Sequence, residues 1–528
     1  MTIGDLLIGQ ARARPNALAL VDDRNGRTLT FAELADEAGH AAAWWQSQGL
    51  RRGQAVLVFV PMSADLYVAL LGLFRLGAVA LFLDPSAGRD HFDRCCARWA
   101  PDALLAIPKA HLLRLTCRAM RRIPIKVSVG CWVPGARTWP GRWQDGSLTT
   151  NTAEPDDPAL VTFTSGSTGV PKAAVRTHRF LLAQYEALAS GIALEAGEID
   201  LATLPVFVLA NLAAGATTVI PDVDLRQPGA VDAGRIFAQI ERRGVTRVTA
   251  SPAFFERLIA HGRATGRTLP TLRKIYTGGA PVFPALLDGL RELAPLANPV
   301  AVYGSTEAEP IAHIEARAMT PDDLAAMRAG RGLLAGPPVP EVSLRILRDR
   351  WGVPRGAMNE EAFAAETMPA GQPGEIVVAG GHVLKGYLGG IGDEETKFRV
   401  AGESWHRTGD AGLLDDGGRL WLLGRCAARI QDARGSLYPF GAECVAMTFP
   451  GVRRAAVLAH GEKRLLAIEG EADEALGQRL REATARAFID DVVFITRMPV
   501  DKRHNAKIDY PALRDVIETR SKPATTAR

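Results

Sequence analysis

Acid and base nearly cancel in this chain. Of its 528 residues, 62 are Lys or Arg and 58 are Asp or Glu, a surplus of only +4. So small an imbalance gives no support to a nucleic-acid-binding function. Cysteine is scarce: Cys95 and Cys96 are adjacent, Cys117, Cys131, Cys426 and Cys444 are dispersed, and no CxxC pair occurs. That spacing argues against a zinc cluster or a disulfide scaffold, and the thiols read as small, partly buried side chains in a reducing cytoplasm. Internal repeats are lacking, which excludes a solenoid. The opening MTIGDLLIGQARARP has no basic region ahead of an apolar core, so no signal peptide is expected. Long uninterrupted apolar runs are lacking too. Leu66 to Leu83 comes nearest, but Arg75 stands at its middle and Gly72 and Gly77 interrupt it. A central arginine costs about 3 kcal/mol on membrane insertion. The segment is therefore expected to be a buried helix that turns at Gly77 into a core strand, with no membrane span.

What is present is globular: 47% of residues are apolar and 23% charged. Apolar runs of strand length alternate with helical periodicity. Examples are 54–61 before a helix from Ser63, 159–169 before a helix near His178, 216–222 before 233–244, and 246–252 before 253–262. This pattern predicts an α/β fold of layered, largely parallel sheets. From about 335 to Leu423 short strands separated by Gly, Pro and Asp predict a β-rich subdomain. From Gly424 onward a small α+β unit is expected. The division is thus 1–423 and 424–528, with a polar, frayed end.

The most chemically suggestive segment is Thr164-Ser165-Gly166-Ser167-Thr168-Gly169-Val170-Pro171-Lys172, directly after the core run LVTF. Two glycines let backbone N–H groups approach an anion, the hydroxyls add donors, and Lys172 adds charge. This is the composition of a phosphate cradle. It is not a Walker A loop, because Lys172 precedes Ala173 rather than Ser or Thr.

With that loop, Tyr303-Gly304-Ser305-Thr306-Glu307, the run His406 to Asp410, Gly424-Arg425 and Lys507 in HNAKIDYPAL follow one another in the order found in adenylate-forming enzymes. The chain resembles that superfamily of acyl-CoA synthetases, luciferases and adenylation domains over nearly its whole length. The resemblance implies ATP and Mg²⁺ as cofactors and a small-molecule carboxylic acid as substrate. It implies that the loop Thr164–Lys172 holds the β- and γ-phosphates, that Gly278-Gly279-Ala280-Pro281 walls the adenine, and that Tyr303 stacks on it. Thr306 would contact the α-phosphate, Glu307 would hold the metal, and Asp410, with Arg425 nearby, would accept from the ribose hydroxyls. Lys507 would reach the reacting carboxylate from a mobile C-terminal domain. Chemically these roles are coherent, since joining two anions requires positioning and cations.

Several positions depart from the usual acyl-CoA synthetase pattern. Ala427 stands where Asp or Lys is usual after Arg425, Gln431 replaces a Lys, and Val208 replaces a His in Pro205-Val206-Phe207-Val208. The apolar run around Phe207 and Val208 marks either an apolar acyl pocket or ordinary core. These segments look like the β-lactone synthetases of olefin biosynthesis, which implies adenylation of a 3-hydroxy acid followed by attack of its own hydroxyl. An internal nucleophile at high effective molarity needs no thiol channel. The alternatives are a ligase forming a thioester with CoA or an acyl carrier protein, and a non-catalytic nucleotide-binding homologue. Neighbouring biosynthetic enzymes are implied as partners. His178 and His406 read as structural, and the basic run Arg118–Lys126 as a solvated face or a site for an acidic carrier.

Overall fold

The computed structural model describes residues 1–84, 88–141, 143, 146–148, 150–165, 170–500 and 507–521. Its chain groups into two compact units. The first comprises 1–222, 307–309 and 380–397; the second comprises 223–306, 310–379 and 398–528.

In the first unit the described residues form a seven-stranded sheet in the order Arg137–Thr138, Ile125–Ser128, Ala103–Ala106, Ala55–Phe59, Val79–Phe82, Pro158–Ser165, Pro171–Thr177. All pairs are parallel except the last, in which Pro171–Thr177 runs antiparallel to Pro158–Ser165. The apolar run at 66–83 is the helix Ala64–Leu76 and the strand Val79–Phe82. Ser63 caps the helix by accepting from the Leu66 N–H, and Gly77, at φ +72°, ends it in the left-handed conformation that glycine adopts without strain. Arg75 is buried in this helix and spends its guanidinium on the carbonyls of Ala35 and Leu148. No helix among the described residues is long and apolar enough to cross a membrane.

In the second unit, Arg247–Ala250, Lys274–Gly278 and Asn298–Ser305 are parallel neighbours. The β-rich region begins at Leu333, as a sheet whose main strands are Leu333–Gly336, Leu420–Arg425, Glu403–Leu414, Gly374–Gly380 and Val342–Leu347. Arg407 grips Glu375 inside it with two hydrogen bonds of 2.9 Å, so both buried charges are paired. Beyond Arg425 come the helix Pro439–Ala446 and a sheet of Arg454–His460, Lys463–Glu469 and Asp491–Ile495, with helices Glu474–Ala483 and Tyr510–Ser521. Two apolar clusters, one centred on Val457, Leu466 and Leu480 and the other on Leu458, Ile495 and Leu513, draw all their members from residues 430–517.

Glu443, on the helix Pro439–Ala446, ties this region to the segment after Lys507. Its Oε1 accepts from the Val457 N–H at 3.0 Å and from the Tyr510 hydroxyl at 3.1 Å. Burial pushes the carboxyl up to about 7, with the two hydrogen bonds opposing the shift. A carboxyl whose pKa rises on folding contributes stability that is present below its unfolded pKa and lost as pH rises through the folded one. The apparent Tm of the native chain should therefore fall between about pH 5 and pH 8, by the equivalent of about 3 kcal/mol at most. In Glu443→Gln that component disappears. Equal declines in both proteins, followed by thermal melts across this range, would remove Glu443 as the cause.

Candidate active site

The antiparallel pairing in the first unit sets the position of Lys172. Strand Pro158–Ser165 ends in Thr164 and Ser165, and Thr164 lies opposite Lys172 across the ladder. Gly166, Ser167, Thr168 and Gly169 lie outside the described residues. Lys172 is buried, and its Nζ pairs with Glu395 Oε2 at 2.6 Å. The same ammonium lies 5.7 Å from the centre of the Tyr387 ring. A side chain at Gly392 would meet the lysine stem at 2.6–2.9 Å, and the glycine holds φ +93°, so its lack of a Cβ is what admits the lysine.

Tyr387 joins this ion pair to Glu307. Its hydroxyl donates to Glu307 Oε1 at 2.9 Å, and its N–H donates to Asp393 at 2.7 Å. Lys397 lies 5.6 Å from the Tyr387 ring centre and donates to the Leu384 carbonyl; the Leu384 N–H in turn donates to the Glu307 carbonyl at 2.7 Å. Burial lowers Lys397 to about 8; Glu307 and Asp393 resist the shift and Lys172 adds to it. Burial, followed by the nearby Glu307 charge, raises the Tyr387 hydroxyl and keeps it a donor. Two lysines, three carboxylates and one phenol thus stand together. Tyr387, Asp393, Glu395 and Lys397 were not singled out in the sequence. Their only local sign is the acidic run 393–395 beside a lysine.

The second unit contains a cleft of about 300 Å³. Gly279, Ala280, Pro281, Tyr303, Gly304, Asp410, Arg425 and Lys507 all line it. Gly278 ends the strand Lys274–Gly278, where an added Cβ would meet the Val302 carbonyl oxygen at 2.4 Å. Tyr303 and Ser305 lie at the end of Asn298–Ser305, with Thr306 and Glu307 in the following turn. Asp410 and Arg425 are register partners on neighbouring strands. Asp410 accepts from the Tyr303 hydroxyl at 2.9 Å and from Arg425 at 2.8 Å. The Asp410 charge raises Arg425 further, and burial raises Tyr303 well above the usual phenol range. Lys507 is exposed at the rim, followed by Ile508, which bridges Val500.

Phe207 and Val208 belong to the helix Pro205–Ala214 and are buried. Val208 packs in the apolar core of the first unit with Leu209 and Leu212. His178 is fully buried at a helix start, against Phe74.

The pattern of the AMP-binding enzyme family matches residues 8–388. The chain belongs to that family. It is 33% identical to an olefin beta-lactone synthetase of Stenotrophomonas maltophilia and 34% identical to one of Xanthomonas campestris pv. campestris, each over 94% of both chains. Its fold matches that of the anthranilate CoA ligase AuaEII, solved with anthranoyl-AMP, at a TM-score of 0.82 and 19% identity, over 99% of this chain and 98% of the other. This AMP-binding enzyme is thus an adenylate-forming ligase of a class that uses ATP.

The Lys172–Glu395 pair is open to direct measurement. Removing either charge leaves the other inadequately compensated, so Lys172→Met and Glu395→Gln should each destabilise the fold and the double variant should cost less than their sum. The expected coupling is about 1–3 kcal/mol, since Glu395 is partly solvated. Denaturant unfolding of the four proteins measures it, and strictly additive costs would dissolve the pair.

Proposed function

We propose that this ligase activates a 3-hydroxy carboxylic acid with ATP and then closes the acyl-adenylate to a β-lactone. The observation that carries this reading is the identity of 33–34% to two olefin beta-lactone synthetases over 94% of both chains. It is supported by the residues that replace the usual acyl-CoA synthetase pattern. Ala427 is an exposed methyl in the turn Cys426–Ala428, and Gln431 is exposed on the strand that follows.

In the first step the substrate carboxylate attacks the α-phosphorus of ATP and pyrophosphate departs. Lys172 and the backbone of Thr164–Gly169 receive the β- and γ-phosphates. When polyphosphate takes up Lys172, Glu395 is the charge it must displace. Gly279 to Pro281 flank the adenine, Tyr303 stacks on it, and Asp410 accepts from the ribose hydroxyls while Arg425 orients its carboxylate. Thr306 donates to the α-phosphate, and Lys507 neutralises charge on the carboxylate and α-phosphate as they join.

Glu307 suits Mg²⁺ as an oxygen donor. Among the described residues no group of three His, Cys, Asp or Glu side chains forms a metal cage. A single carboxylate combined with substrate phosphates is the usual magnesium arrangement. The ion would supply charge neutralisation at the phosphates. Tyr387 fixes the Glu307 carboxylate that would hold it.

In the second step the substrate's β-hydroxyl oxygen bonds to the acyl carbon. The acyl C–O bond to the adenylate breaks, AMP leaves with the electron pair, and the hydroxyl proton passes to solvent. Residues 424–528 act as the mobile domain that delivers Lys507 to the first step. Thioester formation with CoA or a carrier protein is the competing second step.

Incubating the enzyme with ATP and 3-hydroxy acids of several chain lengths, with and without CoA, decides between them. The expected products are AMP and a β-lactone in both arms; product only with CoA would overturn the lactone reading. Lys507→Ala should lower acyl-AMP formation by about 10²–10³-fold while ATP still binds. Glu307→Gln should shift the Mg²⁺ titration at least about tenfold, and an unchanged titration would remove Glu307 as the ligand.

A further inference from the structure

The stretch from Ala103 to Gln144 contains eight lysines and arginines and no aspartate or glutamate. The rest of the chain is left with 54 bases against 58 acids, so the small overall surplus conceals one strongly cationic region. The strands Ala103–Ala106 and Ile125–Ser128 sit within the sheet of the first unit. Between them run three short helices, Pro108–His111, Leu113–Thr116 and Arg118–Arg122.

These helices and the loop after Ser128 form one surface. Arg121 donates to the carbonyls of Arg114 and Leu115 at 3.2 and 3.0 Å, and Arg114 donates to the Pro134 carbonyl at 3.1 Å. The inward side is filled by His111, Cys117 and Met120, all buried. Asp93, on the helix Arg89–Arg98, meets this face and is engaged by the Ala119 N–H at 3.0 Å and the Cys117 thiol at 3.4 Å.

The outward side combines two kinds of group. Lys109, Arg118 and Arg122 are exposed cations. Among them stand Leu112, Leu115 and Trp132, exposed by 61%, 73% and 68%. Single apolar side chains standing out among cations match the layered chemistry of a bilayer surface. There, anionic headgroups lie above acyl chains and an indole settles at the boundary. We propose that this face docks the enzyme peripherally on an anionic phospholipid surface, with Arg118 and Arg122 on headgroup phosphates and Leu112, Leu115 and Trp132 seated among the headgroups. The docking would bring an apolar acid and its activating enzyme to the same interface, and it does not depend on which second step follows adenylation.

The test is co-sedimentation of the full chain with phosphatidylcholine vesicles that contain phosphatidylglycerol, and with vesicles of phosphatidylcholine alone. Binding should require phosphatidylglycerol and fall with added salt. Each basic residue near such a surface is worth about fivefold in partitioning, so the double variant R118E/R122E should lose at least about tenfold. L115S/W132S should lose several-fold with the charges intact. Both variants should keep ATP–pyrophosphate exchange with a water-soluble acid, which shows that they are folded. Three results would overturn the proposal: equal binding to both vesicle types, no binding to either, or charge reversal without effect. Salt-sensitive binding to a purified acyl carrier protein by a chain that ignores vesicles would assign the face to an acidic protein instead, and would equally refute lipid docking.

Discussion

A protein that handles polyanions must hold cations in place before the polyanion arrives, and a buried ammonium without a counter-charge is too costly to keep. Lys172 shows how this chain meets that constraint. Its ammonium lies under the surface, balanced by Glu395 and faced by the Tyr387 ring. Tyr387 in turn fastens Glu307, and Lys397 sits on the same ring. The second unit meets the same need with the opposite sign. Asp410 is a carboxylate held by hydrogen bonds from an arginine and a phenol.

Strand ends do the positioning. Ser165, Gly278 and Ser305 each close a strand of their unit, and in each case the residues of interest stand at or just beyond the carboxyl end. That is where α/β sheets present their ligand-binding loops. The cross-strand register of Asp410 with Arg425 is equally geometric, because neighbouring strands place two side chains together without any loop.

What could be read from the chain beforehand follows from which interactions are local. The helix–Gly77–strand arrangement at 66–83 was legible because a left-handed cap and an apolar run are properties of consecutive residues. The strands Arg454–His460 and Lys463–Glu469 and the start of the β-rich region near 335 were legible for the same reason. The strand Pro171–Thr177 was not: its residues are mostly buried on both faces, so no alternation marks it, and the expected loop-to-helix passage is a hairpin strand instead. Glu395 and Tyr387 were invisible too, being more than 200 residues from Lys172 along the chain. The apolar helix Pro205–Ala214, ambiguous between pocket and core, places Val208 in the core of the first unit.

Gly392 carries a consequence of its own. Its missing side chain is the volume through which the Lys172 stem passes. The ion pair is therefore recorded twice in the chain, once as two opposite charges and once as an empty position. A relative that keeps both charges but bears any larger residue at the equivalent of 392 must route its lysine differently. The smallest residue in the segment thus serves as a marker of the geometry of the largest charge beside it.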